Sequence, residues 1–77
     1  FNLIHKNFFK NLKEKYPSLT PSDLRFCALL RLNLSTKDIA KFTQLSVRGV
    51  EGARYRLRKK FNLDEGTSLI DFLLSFQ

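Results

Sequence analysis

The chain has 77 residues, 43% of them apolar, with 14 Lys and Arg against 7 Asp and Glu, a formal charge of +7 and a pI near 10.0. That length holds one small core and no second, and the apolar fraction, which includes eight Phe, excludes a disordered polyelectrolyte. The charge points to an anionic partner: nucleic acid first, an anionic membrane next, with a merely solubilising excess as the plain alternative.

Cysteine usage narrows the chemistry. Cys27 is the single cysteine and there is one His, so no intrachain disulfide forms and no Cys/His zinc set exists. Within LRFCALLRL, Cys27 reads as a buried thiol. No metal and no cofactor are expected. No apolar run approaches the roughly 18–20 residues that span a bilayer, and no signal-peptide pattern opens the chain. The expected setting is cytoplasmic, without membrane contact by these residues. A chain that begins at Phe1 and lacks Met is expected to be cut from a longer protein, itself free to be membrane-anchored.

In FNLIHKNFFKNLKEKYP, the spacing of Phe1, Ile4, Phe8 and Leu12 predicts an amphipathic helix over 1–16, ended by Pro17. Lys6, Lys10 and Lys13 fall off that stripe and read as a solvated face; His5 reads as an ordinary surface residue. Thr20, Pro21 and Asp23 form a helix start signal, and a helix over about 21–32 follows, ended by Asn33. Leu24, Phe26, Cys27, Leu29 and Leu30 cover much of its circumference, which predicts a central helix. Arg25 and Arg31 on it are expected to pair with Asp23, Asp38 or the acids of the later linker.

Ser35 and Asp38 repeat the start signal for a helix of about two turns, with Ile39, Ala40 and Phe42 expected to pack. TQLS then interrupts, with Leu45 expected to plug the turn and Ser46 to cap the next helix. The stretch SVRGVEGARYRLRKKF carries six of the fourteen basic residues. Val50, Ala53, Leu57 and Phe61 form its narrow apolar stripe; Arg48, Glu51, Gly52, Tyr55, Arg58 and Lys59 lie opposite, flanked by Arg54, Arg56 and Lys60. Two glycines in such a helix raise a question, because each interior Gly costs roughly 0.8–1.0 kcal/mol relative to Ala. Gly49 falls in the first turn, where that cost is smaller; Gly52 falls on the outer face, where a missing side chain would let a groove approach the backbone.

Asn62 is expected to close the basic helix in the left-handed conformation. A last helix over 67–76 follows, and Leu69, Ile70, Phe72, Leu73, Leu74 and Phe76 give it more apolar surface than a short terminal helix needs. No alternating strand pattern is present. No Ser/His/Asp or Cys/His set, glycine-rich phosphate loop or paired carboxylates can be found, so an enzyme is not expected.

The run LTPSDLRFCALLRLNLSTKDIAKFTQLSVRGVEGARYRLRKKFNL, Leu19 to Leu63, resembles without a gap the LuxR/GerE-type helix-turn-helix domain. The family pattern is LT, an acidic residue, an apolar helix, LS-x-KEIA, IS, TV and a basic helix ending in KL. LRFCALLRLNLSTKDIA followed by ARYRLRKKF further resembles the variant at the C-terminus of large Bacteroidetes-type sensor-regulator proteins, which carries a preceding Phe-rich helix. The resemblance implies a single all-α domain over 1–77: an N-terminal helix (1–16), a helix-turn-helix core (19–63) and a C-terminal helix (67–76) that forms a homodimer contact. It implies that helix 47–61 enters the major groove of double-stranded DNA in a transcriptional regulator whose parent chain carries a sensor domain.

Transferred by position, the base-contacting sites fall on Glu51, Gly52 and Tyr55, and the phosphate-contacting sites on Lys37, Ser46, Arg48, Arg54, Arg58 and Lys59. The chain departs from the family at Gly49 (usually Thr or Ser), Gly52 (often branched apolar), Ala53 (often His) and Thr43 (commonly Leu). Glu51 can accept from cytosine N4, and Tyr55 can meet a thymine methyl or a phosphate; a surface pair with Tyr55 or a neighbouring Arg is the plainer role for Glu51. The competing function is a protein-interaction module that docks a partner on the first or last helix.

Overall fold

Four helices begin at the same device, a Ser or Thr in extended backbone whose hydroxyl accepts a hydrogen bond from the backbone N–H three residues on. The computed structural model describes residues 6–76 and contains five helices among them: α1 (Lys6–Lys15), α2 (Pro21–Arg31), α3 (Thr36–Thr43), α4 (Val47–Lys60) and α5 (Leu69–Leu74), with no strand. Thr20 accepts from Asp23 at 3.1 Å, Ser35 from Asp38 at 3.1 Å, Ser46 from Gly49 at 3.0 Å and Ser68 from Asp71 at 3.3 Å. The first is a full capping box, because the Asp23 carboxylate also accepts from the Thr20 N–H at 3.0 Å. Such caps contribute about 1 kcal/mol each.

Helix ends follow a second device. Asn33, Gln44 and Asn62 take φ values of 61°, 61° and 56°, the left-handed region. At Asn62, as expected, the closure is a Schellman motif: Leu63 N–H donates to Arg58 O and Asn62 N–H to Lys59 O. Gln44 is the one not foreseen, since Gly or Asn is the usual residue there.

α2 is central, as its all-round apolar pattern predicts. Phe26, Cys27, Ala28 and Leu30 are buried on it, and it packs against both α3 and α5. α1 contributes Phe8 and Leu12, α3 Ile39, α4 Val50 and Leu57, and α5 Leu69 and Leu73; all join one apolar cluster. α3 packs on α4 across the turn Gln44, Leu45 and Ser46. Burying each Leu-sized side chain stabilises by roughly 1.5–3 kcal/mol.

Several expectations change. The last helix is shorter than 67–76, and its aromatic surplus has an internal use: Phe72 lies 4.9 Å from Phe61 and 5.2 Å from Phe76, and Tyr16 lies 4.8 Å from Phe61, centroid to centroid. Phe42 is 69% exposed and Leu45 44% exposed, so neither packs as predicted. On a helix as short as α3, Ile39 and Thr43 take the inner face, where the Thr43 hydroxyl donates to the Ile39 carbonyl at 2.7 Å. Lys13 is not a free solvated cation: its ammonium donates to Leu19 O at 2.6 Å and Pro17 O at 3.0 Å, tying the α1–α2 connection. Arg25 and Arg31 do not pair with acids. Arg25 reaches the Ser22 hydroxyl at 3.4 Å, and the Arg31 guanidinium stacks 4.7 Å from the Phe8 ring. The expectations for Phe1, Ile4, His5 and the Lys6 side chain lie outside the described residues.

Candidate nucleic-acid interface

α4 buries one stripe and exposes the rest. Val50 and Leu57 are buried, Phe61 closes the stripe at the C-cap, and Ala53 packs against the cluster from its edge. At 3.6 residues per turn, Arg48, Gly52, Tyr55 and Lys59 follow at steps of four, three and four and form one line away from that stripe. Arg48, Tyr55 and Lys59 are exposed, Tyr55 at 60%, and Glu51 stands exposed beside them. The Lys59 ammonium sits 5.1 Å from the Tyr55 ring centroid, which holds a cation over an aromatic face on the outermost line. Glu51 is the one acid on α4.

The front of the helix adds polar groups of a different kind. The Ser46 oxygen accepts from Gly49 N–H, which leaves its hydroxyl proton free to donate outward. Unpaired N–H groups of the first turn and the helix dipole favour an anion at this end. Lys37 is exposed in the first turn of α3. Arg54 is half-buried toward the flank.

The rear of the helix is tied down. Arg58, expected to reach phosphate, has a role inside the chain: its guanidinium donates to Thr67 O at 2.7 Å and to Asp64 O at 2.5 Å, pinning the α4–α5 linker. Lys60 pairs with Asp23 at 2.6 Å and so joins the end of α4 to the capping box of α2; it is the one ion pair among the described residues. Partial burial pushes the Asp23 carboxyl up, but the Lys60 ammonium together with the Thr20 N–H and hydroxyl outweighs it and holds the group below the ordinary aspartate value.

The two glycines separate. A Cβ at Gly49 would lie 3.3 Å from the Ser46 oxygen and 3.4 Å from Leu45 Cβ, so glycine there gives the capping hydroxyl room. A Cβ at Gly52 would meet only the tip of Arg56, at 3.5 Å, an ordinary contact with a flexible side chain. Neither has a positive φ. Internal packing therefore gives a reason for Gly49 and none for Gly52.

Sequence reasoning missed the ties at Lys13, Arg58 and Lys60, because each joins residues through loops whose path the apolar periodicity does not encode. It also missed a groove of about 540 Å³ between α2, α4 and the α3–α4 turn, where Phe42 and Leu45 stand. The buried Cys27 thiol is pushed up to about 12, first by burial and then by the Asp23 charge, so it is protonated and unreactive at neutral pH. Among the described residues no cluster of three or more His, Cys, Asp or Glu side chains could hold a metal ion, and no helix is long and apolar enough to cross a membrane. No protein-family profile, no curated protein and no solved structure matches the chain.

Proposed function

We propose that this chain is a sequence-specific double-stranded DNA-binding domain of the LuxR/GerE type, the effector part of a bacterial transcriptional regulator, with α4 in the major groove. The observation that carries this reading is the outer line of α4. Arg48, Tyr55 and Lys59 project together, exposed and away from the tied rear cations, on a helix anchored by one buried stripe. A B-form major groove about 12 Å wide admits such a helix.

In this reading the residues divide the work. Lys37, Arg48, Arg54 and Lys59 neutralise phosphates and release counterions, a contribution blind to sequence. Ser46 and the first-turn N–H groups of α4 add neutral donors to the same backbone. Glu51 and Tyr55 read base edges, and Gly52 removes the one side chain that would hold the helix away from them. Arg58 serves the site indirectly by fixing the α4–α5 linker. Pairing of two copies through α5 would rest on Leu74, 47% exposed, and on Ile70.

The test is binding of a fluorescent duplex over a salt series. Four phosphate-neutralising side chains predict that log K falls against log salt with a slope of roughly −3.6. A flat dependence would end this reading. Selection of bound fragments from random duplexes should then yield a motif that changes at one position in Glu51→Ala; an unaltered motif assigns Glu51 to the helix surface.

A further inference from the structure

The groove between α2 and α4 lies off the outer line of the basic helix. Phe26 and Leu57, both buried, and the half-buried Leu29 line it, and the exposed Phe42 and Leu45 flank one end. Its volume of about 540 Å³ suits one or two large side chains. Two large apolar side chains held open to water beside a concave surface of mixed polar and apolar lining are an arrangement that a partner's anchor residue can fill.

The charge at the rim says what kind of partner. Arg25 and Arg56 both border the groove, both are exposed, and neither meets a carboxylate; Arg25 has only the distant Ser22 hydroxyl. Asp23 also borders it, but that carboxylate is held by Lys60 at 2.6 Å. The mouth therefore carries two guanidinium groups without a carboxylate, over a lining that Phe26, Leu29 and Leu57 share with Ser22, Thr43 and Gln44. Phosphates would satisfy the arginines and leave Phe42 and Leu45 wet. A carboxylate-bearing segment with a large apolar side chain satisfies both.

We infer that this groove docks an acidic segment of a partner protein, with one Phe- or Leu-sized residue seated between Leu29, Phe42 and Leu45 and carboxylates on Arg25 and Arg56. The apolar part of the site lies off the outer face of α4, and the two surfaces meet at Arg56, whose guanidinium tip lies beside Gly52. The inference does not depend on DNA binding.

The probe is a library of random dodecapeptides displayed on phage, selected on the whole chain and depleted on a Phe42→Ala/Arg56→Glu variant. Recovered peptides should be net acidic and carry at least one large apolar residue. They should bind Phe42→Ala about tenfold more weakly than wild type, the loss typical of a truncated anchor contact, and Arg25→Glu more weakly still at low salt. Phe42 is 69% exposed, so circular dichroism of Phe42→Ala should match wild type and separate lost docking from lost fold. Amide shifts caused by a recovered peptide should fall on Leu29, Thr43 and Ala53. The inference is overturned if depletion on the variant removes every binder, if no peptide is enriched, if the peptides lack acids, or if the shifts fall on Arg48 and Lys59. Duplex DNA shifting the groove residues more than the outer line would also overturn it, by assigning the groove to nucleic acid.

Discussion

The two halves of α4 carry unequal charge, net +1 over 46–55 and net +4 over 56–61, and the richer half uses part of it inside the chain. From Ser46 to Tyr55 no side chain ties the helix to a distant loop: Arg48, Glu51 and Tyr55 are exposed, Arg54 is half-buried toward the flank, and Ser46 turns only its oxygen inward. From Arg56 to Phe61 three residues tie the helix down, while Arg56 and Lys59 stay exposed. Arg58 holds Thr67 and Asp64, Lys60 holds Asp23, and Phe61 meets Tyr16 edge to face and packs at a tilt against Phe72. The lesson is that a count of basic residues overstates the charge available to a partner, because some of those residues are structural ties. A rigid rear half also gives the front half a fixed direction, which a helix read by a groove requires.

The contrast can be broken most forcefully at Phe61. Its ring is buried, 3% exposed, and joins two aromatic neighbours, so Phe61→Ala should lower unfolding stability by about 3–5 kcal/mol in urea titrations. A loss below about 1 kcal/mol would mean that the rear half is not bolted. Next comes Arg58→Ala, which frees two linker carbonyls; part of the site is open to water, and a loss of roughly 1–2 kcal/mol is expected. Arg48→Ala is the matching control and should leave the same titration unchanged within about 0.5 kcal/mol.

Gly52→Ala sharpens the comparison from the front. Only the Arg56 tip faces the new methyl, so the variant should gain about 0.5–1 kcal/mol of stability. If duplex binding weakens at the same time, the glycine serves close approach; unchanged binding leaves it a tolerated weak spot. The smallest effect is Lys60→Gln, about 0.2–1 kcal/mol, the usual range for a partly exposed ion pair. Because Asp23 is held below the ordinary aspartate value of about 3.9, its contribution is present above that pH and lost as pH falls through the lowered value. Wild type should therefore lose stability more steeply than Lys60→Gln as pH falls below the ordinary aspartate value. Parallel curves would show that the pair adds nothing.

What was legible in the sequence follows the range of the interactions. The caps at Thr20, Ser35 and Ser46 and the closing Asn62 act within four residues, and the residues themselves announce them. The buried stripe of α4 and the central place of α2 follow from apolar periodicity. The ties at Arg58 and Lys60 were not legible, since Lys60 and Asp23 lie 37 residues apart and meet only after the core has assembled. Phe42 was misread for a related reason: an aromatic in a short helix is assigned to the core unless the neighbour that wins the inner face, here Thr43 with its bond to Ile39, is known. The outer face of α4 was the most readable part of the candidate site, because a helix that buries one stripe exposes everything opposite it.

The division of α4 meets its most direct test in a duplex-binding salt series run on wild type, Arg48→Ala and Arg58→Ala. The account predicts that Arg48→Ala reduces the magnitude of the slope by about one at unchanged stability, and that Arg58→Ala keeps the wild-type slope while losing stability. Equal reductions in both variants, or a reduction in Arg58→Ala alone, would contradict it.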